Sequence, residues 1–224
     1  MIKAVVFDLD DTLYPEHRYV DSGFKAVDQF LTENYNLIGF YEVASLLFSK
    51  GSRGYVFNEA LESLSFSHDD AFIKLLVSVY RNHNPDIKLD ETTQRVLDYI
   101  SRFYKTALIT DGYQVAQKKK IESLNIGTYF DHICITDVLG KEYWKPHEIS
   151  YKKTEEFLNV APEECVYVGD NPTKDFVTPN RLGWKTIQIL TEKGEYCSMD
   201  VDQAFQAHIK IDSFFFLKNV LGYL

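Results

Sequence analysis

Residues 5–13 read Val5-Val6-Phe7-Asp8-Leu9-Asp10-Asp11-Thr12-Leu13, an apolar run that stops at three neighbouring carboxylates. β-Branched and aromatic residues before a break in hydrophobicity indicate a buried strand. Carboxylates this close repel one another unless a cation lies among them, so the cluster predicts a bound divalent cation. Asp8 and Asp10 face the same side of a continuing strand, where one could attack and the other transfer a proton. An ordinary strand followed by an acidic turn also explains the run.

Composition excludes several classes of protein. A chain of 224 residues exceeds one average domain, so we expect one core with a sizeable insertion. Hydrophobic residues at 45% and charged residues at 25% suit a globular protein. The net charge of -9 argues against nucleic-acid binding, because phosphate affinity needs clustered Lys and Arg. The basic run Lys118–Lys120 lies in a helical pattern and is interpreted as a solvated face.

Cysteine usage and hydropathy bear on the compartment. Cys134, Cys165 and Cys197 are widely spaced and lack the CxxC pairing of zinc and redox sites, so we expect buried thiols. No apolar stretch reaches the ~18 residues of a membrane span, and residue 1 leads directly into a strand instead of a signal sequence. We therefore expect a cytoplasmic protein with no membrane partner. The sequence leaves the oligomeric state open.

Hydrophobic periodicity divides the chain in two. Helical spacing runs from Tyr14 to Asp90, with a breaker cluster at His83–Asp86, and predicts an all-helical insert. Beyond it, near-continuous apolar runs alternate with amphipathic helices, which is typical of a parallel sheet with helices on both faces. The predicted fold class is α/β, with a Rossmann-like core of residues 1–13 and 91–224 and a helical cap of residues 14–90. The later strands are predicted at 107–109, 133–135, 165–168 and 186–189, and a closing helix at 214–221.

Three later apolar runs also end in polar residues, and the carboxyl ends of strands line the ligand crevice of open α/β sheets. Thr110-Asp111-Gly112 offers a hydroxyl and a helix N-terminus to a phosphate. Trp144-Lys145-Pro146 places an ammonium near the mouth of a helix. Gly169 permits close backbone approach beside the carboxylates Asp170 and Asp175. Each cluster alone is explained by an N-cap, a surface lysine or a Gly-Asp turn, but four together predict one site.

These clusters resemble the four motifs of the haloacid dehalogenase superfamily of hydrolases: Asp8-Leu9-Asp10-Asp11-Thr12, Thr110 with Gly112, Lys145-Pro146, and Gly169-Asp170 with Asp175. The resemblance covers nearly the whole chain. It implies that Asp8 is a nucleophile forming an aspartyl-phosphate, and that Asp10 protonates the leaving oxygen and later activates water. It also implies that Thr110, Lys145 and the backbone amide of Asp111 bind the phosphoryl group.

The same resemblance implies Mg²⁺ as the cofactor. The ion would be held by the Asp8 carboxylate, the Asp10 backbone carbonyl and the Asp170 carboxylate. Asp175 would contact a metal-bound water or steady Lys145. All-oxygen ligation suits this hard ion. One departure is Asp111, which stands where Asn is common in the superfamily, and we expect it to hydrogen-bond within its loop.

An acid at position 10 favours phosphate esters among the superfamily's substrates. The helical insert resembles the type 1 cap, which closes over the substrate and excludes water. Leu13-Tyr14-Pro15 resembles the start of pyrimidine-nucleotidase-like members. Polar or aromatic residues near predicted loops of the cap are candidates for recognising the rest of the substrate, although a loop arginine is usually exposed to water. These candidates are His17, Arg18, Arg53 and Tyr55.

We therefore expect a magnesium-dependent phosphomonoesterase that acts on a small phosphorylated metabolite, either a nucleoside monophosphate or a sugar phosphate. One alternative is a sugar phosphomutase with the same aspartyl-phosphate, which would reveal itself by isomerised product. Another is a non-catalytic metabolite-binding or regulatory domain. A pure binder has no need of both a nucleophile and a proton donor, so Asp8 with Asp10 counts against it.

Overall fold

The computed structural model describes residues 1–190, 196 and 199–224 and divides the chain into two compact units. The core unit consists of Met1–Glu16 and Lys88–Leu224, and the cap unit of His17–Ile87. Cys134 and Cys165 are buried and free, whereas Cys197 lies outside the described residues. Among the residues that the structure describes, no helix is both long and apolar enough to cross a bilayer.

The core unit is built on a parallel sheet. Its six strands, within the described residues, are β1 (Ala4–Phe7), β2 (Lys105–Thr110), β3 (His132–Ile135), β4 (Cys165–Gly169), β5 (Lys185–Ile189) and β6 (Ile209–Ile211). They pair in the order β3-β2-β1-β4-β5-β6, all in parallel. The sequence prediction lacked β6, because three residues are too few to produce a recognisable apolar run.

Helices lie between and after the strands along the chain. They are α1 (His17–Tyr35), α2 (Phe40–Ser49), α3 (Val56–Ser63), α4 (Asp70–Asn82), α5 (Glu91–Phe103), α6 (Gln114–Ser123), α7 (Ile149–Leu158), α8 (Val177–Leu182) and α9 (Leu217–Leu221). Asp90 caps α5 by accepting the N–H of Thr93 at 2.8 Å, which satisfies one free donor of the first turn. The predicted closing helix begins as a 3-10 turn at Phe214–Phe216 and continues as α9.

Both faces of the sheet are buried, which explains the continuous apolar strands. Val6 of β1 belongs to a core cluster that includes Tyr151 of α7. Phe7 points to the other face, where its ring lies 6.1 Å from that of Phe130 and 6.0 Å from that of Phe214. Successive strand residues alternate between faces, so both layers of cover are needed. The predicted α/β fold class is confirmed.

The cap unit is all helical. Helices α1 to α4 bury a shared apolar cluster that includes Phe24, Leu31, Phe40 and Leu76. Aromatic rings dominate it; the ring of Phe24, for example, meets that of Phe57 nearly edge to face at 6.1 Å. The insert therefore has a hydrophobic core of its own.

Parallel strands bring four loops to one edge of the sheet in the core unit. Asp8 directly follows β1, and Asp111 follows β2. The loop with Thr136 follows β3, and Asp170 follows β4. Because β1 lies between β2 and β4, the acidic cluster of residues 8–11 occupies the middle of that edge. This is the place where open α/β sheets bind ligands.

Candidate active site

A buried lysine joins two carboxylates at this edge of the sheet. Lys145 Nζ lies 2.5 Å from Asp8 Oδ1 and 2.8 Å from Asp175 Oδ1, and it donates to Tyr167 Oη at 3.0 Å. Asp8 is positioned by the sheet, since its N–H donates to the Val168 carbonyl at 2.9 Å. Buried charges are costly unless they are paired, and this arrangement pairs all three. The fold thus brings together three residues that are far apart in sequence.

The turn after β4 supplies two of the buried carboxylates. Asp170 Oδ1 lies 3.5 Å from the Thr12 hydroxyl, and Asp175 Oδ2 accepts the N–H of Asn171 at 3.0 Å. A Cβ atom on Gly169 would lie 2.5 Å from Asp175 Oδ2. Only glycine therefore lets the Asp175 carboxylate approach the end of β4.

Burial governs the protonation of this cluster. It raises the pKa of Asp170 to about 9, and the charges of Asp175 and Asp8 act in the same direction. It also raises the pKa of Asp8 to about 6, although Lys145 opposes this shift. For Lys145 burial favours the neutral form, but Asp175 and Asp8 outweigh it and hold the pKa well above its ordinary value. Lys145 therefore stays charged, whereas Asp8 and Asp170 hold protons to a higher pH than free carboxylates do.

The carboxylates fit a divalent cation. One oxygen each from Asp8, Asp170 and Asp175 lie within 4.8 Å of one another, and all three residues are buried. Three carboxylates around one point supply hard oxygen ligands and more negative charge than Lys145 alone balances. Burial is the first cause of the raised pKa values of Asp8 and Asp170, and repulsion from the neighbouring carboxylates adds to it; a divalent cation would relieve that repulsion.

Asp10 has a separate set of partners. Lys120 Nζ reaches both of its oxygens, Oδ1 at 2.7 Å and Oδ2 at 2.8 Å. The Tyr14 hydroxyl donates to Oδ1 at 2.6 Å, and Gln117 Nε2 to Oδ2 at 2.9 Å. Burial acts to raise the pKa of Asp10, but Lys120 and these hydrogen bonds outweigh it, so the pKa is lowered. The interpretation of Lys118–Lys120 as a solvated face is wrong for Lys120, which is buried, and right for Lys118, which is exposed.

The loops after β2 and β3 are hydrogen-bonded to the residues that surround Asp8 and Asp10. The Thr110 hydroxyl accepts from Gln117 Nε2 at 2.6 Å. Asp111 Oδ1 accepts the Thr136 hydroxyl at 2.7 Å and the Lys145 N–H at 3.0 Å. The expectation that Asp111 bonds within its own loop is therefore wrong, because its carboxylate joins two neighbouring loops. Its other oxygen lies 3.5 Å from Lys174 Nζ.

A cavity of about 70 Å³ opens onto these groups in the core unit. Its wall is predominantly acidic, with Lys174 as the basic residue among those that line it. Asp11 has a structural part, since its Oδ1 accepts the N–H of Glu16 at 2.8 Å and so orients the turn. The lining residues are Asp8, Asp10, Asp11, Glu16, Asp111, Asp170, Asn171, Lys174 and Tyr196.

The cap candidates lie in the other unit. Arg18, His17 and Tyr55 are exposed there. Arg53 is exposed as well, but its guanidinium lies 3.9 Å from the ring centroid of Phe48 and donates to the Phe48 carbonyl at 2.9 Å. It lines a largely apolar cavity of about 240 Å³ within the cap unit. A substrate-binding role for Arg18 and Arg53 stays a prediction.

Sequence reasoning did not select Gln117, Lys120 or Tyr167. Tyr167 is part of an apolar strand, and nothing in the sequence distinguishes its hydroxyl from that of any core tyrosine. Gln117 and Lys120 lie three residues apart, which places them on one helix face, and Thr110 precedes that helix. Two polar residues on one face of the helix that follows Thr110 could have indicated that this face is directed at the predicted site.

Comparison with known proteins agrees with this geometry. A family model described as haloacid dehalogenase-like hydrolase matches residues 2–182. The chain belongs to this family, and the resemblance drawn from its four motifs is confirmed. Hydrolases of the family generally use a divalent metal, which fits the buried cluster of Asp8, Asp170 and Asp175.

Individual relatives are phosphatases by name. The chain is 31% identical over 213 residues to a glyceraldehyde 3-phosphate phosphatase of Methanocaldococcus jannaschii, covering 91% of this chain and 90% of that protein. It is 27% identical to a phosphoglycolate phosphatase of Aquifex aeolicus, covering 84% and 85%. A crystal structure of 2-haloacid dehalogenase from Pseudomonas syringae superimposes with a TM-score of 0.69 at 22% identity, covering 100% and 99%. That last likeness concerns the fold alone.

Proposed function

We propose that this protein is a magnesium-dependent phosphomonoesterase that acts on a small phosphorylated metabolite through an aspartyl-phosphate on Asp8. The observation that carries the proposal is the buried group of Lys145 between Asp8 and Asp175, beside Asp170. A carboxylate attacks phosphorus only where the negative charge of the phosphoryl oxygens is balanced, and this group provides a cation and a fitting cation site.

The reaction divides into two displacements. In the first, Asp8 attacks phosphorus and the ester P–O bond breaks. Because Lys120 lowers its pKa, Asp10 enters this step as a carboxylate; it takes up the proton of the substrate monoanion and passes it to the leaving oxygen. In the second, Asp10 takes a proton from water as that water attacks phosphorus, which restores Asp8 and releases inorganic phosphate. Lys145 and Asp175 hold Asp8 in place throughout. Mg²⁺ bound by Asp8, Asp170 and Asp175 would supply positive charge at the phosphoryl oxygens.

For the substrate, we propose a short phosphorylated carbohydrate acid or aldehyde ahead of a nucleoside monophosphate. Two relatives that align over most of this chain are named for such compounds, glyceraldehyde 3-phosphate and phosphoglycolate. Both molecules have two or three carbons beyond the phosphate oxygen. Both compounds are primary phosphate esters, a substrate type that suits a nucleophile at Asp8 with a proton donor at Asp10.

The test is phosphate release from a panel of glyceraldehyde 3-phosphate, 2-phosphoglycolate, glucose 6-phosphate and uridine monophosphate, with Mg²⁺ and with chelator. We expect Mg²⁺-dependent release, fastest from the two smallest esters. Asp8→Asn should lower kcat by about a thousandfold or more, because the nucleophile is lost. The exposed Asp212→Asn is the matched control and should retain wild-type rates.

Full activity of Asp8→Asn would contradict the nucleophile assignment. Isomerised sugar phosphate without phosphate release would identify a mutase instead. Binding of a phosphorylated compound without turnover, under conditions where Mg²⁺ also binds, would identify a non-catalytic domain.

A further inference from the structure

The buried face of α6 is directed at the two groups that would transfer a proton and hold the phosphoryl group. Gln117 and Lys120 lie on this face, and each is at most 3% exposed. Gln117 Nε2 donates to Thr110 Oγ1 at 2.6 Å and to Asp10 Oδ2 at 2.9 Å, so one amide connects the two groups. Lys120 Nζ reaches both oxygens of Asp10.

We propose that Lys120 and Gln117 are positioning residues that hold the Asp10 carboxyl group in the orientation needed to protonate the leaving oxygen. This inference rests on the proposed phosphatase function and concerns how that function depends on α6. Neither residue lines the cavity described above. Lys120 contacts Asp10, and Gln117 contacts both Asp10 and Thr110, so both residues would act through these side chains.

The geometry favours positioning over a simple structural ion pair. A single contact would be enough to attach α6 to the loop after β1. Instead, four hydrogen bonds from three side chains reach the two Asp10 oxygens, with Tyr14 supplying the fourth at 2.6 Å. A carboxylate bonded at both oxygens has little rotational freedom. Proton transfer requires a heavy-atom separation near that of a hydrogen bond, so restricted rotation of the acid raises its efficiency.

A leaving-group comparison separates positioning from stability. An alkyl alcohol needs a proton as its P–O bond breaks, whereas p-nitrophenolate leaves without one. Loss of Asp10 orientation therefore slows alkyl esters selectively. Because kcat/KM reports the steps up to transfer of the phosphoryl group to Asp8, it is the quantity to compare, and slow hydrolysis of the intermediate does not mask it.

The experiment measures kcat/KM for 2-phosphoglycolate and for p-nitrophenyl phosphate. For Lys120→Met we expect a loss of about tenfold or more with the alkyl ester and less than about threefold with the aryl ester. Lys120→Arg, which can still reach both oxygens, should recover part of the alkyl activity. Lys118→Met, on the exposed side of the same helix, is the matched control and should leave both values unchanged. Asp10→Asn removes the acid itself, so its ratio of alkyl-ester loss to aryl-ester loss is the largest that this experiment can show.

An equal loss with both esters, or no loss, would overturn the proposal and make Lys120 a structural residue. If Lys120→Met fails to fold by circular dichroism, Gln117→Met provides the test, because it leaves the ion pair intact. Because Gln117 also donates to Thr110, both esters should slow, the alkyl ester by about threefold or more beyond the aryl ester, and an equal loss again overturns the proposal. A wild-type protein that releases no phosphate from either ester would refute the proposed function, and that result is distinct from all of these.

Discussion

Four buried side chains form the charged centre of the site: Asp8, Lys145, Asp170 and Asp175. Lys145 balances Asp8 and Asp175 directly, but Asp170 has no lysine contact among its hydrogen bonds within the described residues. Its pKa is accordingly raised to about 9, with burial as the first cause. The four residues were predicted from strand ends, because parallel strands deliver those ends to one edge. The hydrogen bond from Lys145 to Tyr167 was not predicted, because it depends on distances between side chains that are far apart in sequence.

The raised pKa of Asp170 gives a prediction about stability and pH. The folded protein holds a proton at Asp170 up to about pH 9, whereas an unfolded chain releases it near 3.8. The cation-free free energy of unfolding therefore falls as pH rises through this window. Mg²⁺ takes the place of the proton, so we expect it to raise the thermal midpoint more at pH 9 than at pH 6. Thermal melts with chelator and with Mg²⁺ measure this.

Asp170→Asn serves as the control for that experiment. It removes this titrating group and one negative charge, so the difference in Mg²⁺ effect between the two pH values should shrink to the part that Asp8, with its pKa of about 6, still contributes. Equal Mg²⁺ stabilisation of the wild type at pH 6 and pH 9 would contradict the account of Asp170.

The carboxyl end of β4 is the element that most tightly constrains the site. Asp175 Oδ2 lies only 2.5 Å from the position of a Cβ on Gly169, and Asp175 is held there by Lys145 and the N–H of Asn171. Gly169→Ala should therefore displace Asp175 and Lys145 together. We expect at least a tenfold loss of kcat/KM and about 1–3 kcal/mol off the free energy of unfolding. Phosphate release and urea titration provide the two measurements.

Gly127→Ala is the matched control in the same unit. Gly127 begins a short 3-10 turn, and an added Cβ there meets no atom within 4 Å. It should leave both measurements near the wild-type values. Wild-type activity in Gly169→Ala would mean that the Asp175 position is not required.

The buried face of helix α6 could not be predicted from the sequence. Amphipathic periodicity identifies the buried face of a helix by its apolar residues. The buried face of α6 carries the polar residues Gln117 and Lys120, so the pattern wrongly predicted that Lys120 is exposed to solvent. Strand β6 was missed for another reason, its length of three residues. Long apolar strands and capped helices such as α5 were predictable because local chemistry and burial agree there.

The molecule as a whole combines a family core with an inserted helical unit. The change in hydrophobic period predicted a helical insert followed by alternating helices and strands, and the structure has a helical unit at His17–Ile87. The substrate could not be predicted from the sequence, because the candidates Arg18 and Arg53 are exposed, and the described contacts of Arg53 are with Phe48 and Ser52 of the cap unit. The central claim for the whole protein is therefore the chemistry of the core, with Asp8 as its nucleophile.

That claim is tested most directly by trapping the intermediate. The protein would be mixed with 2-phosphoglycolate and Mg²⁺, treated with borohydride during turnover, and digested for mass spectrometry. An aspartyl-phosphate is an activated acyl group that borohydride reduces to the alcohol, so the account predicts homoserine at position 8 and unchanged Asp10. Continued turnover with Asp8 unmodified, or reduction at another carboxylate, would contradict it.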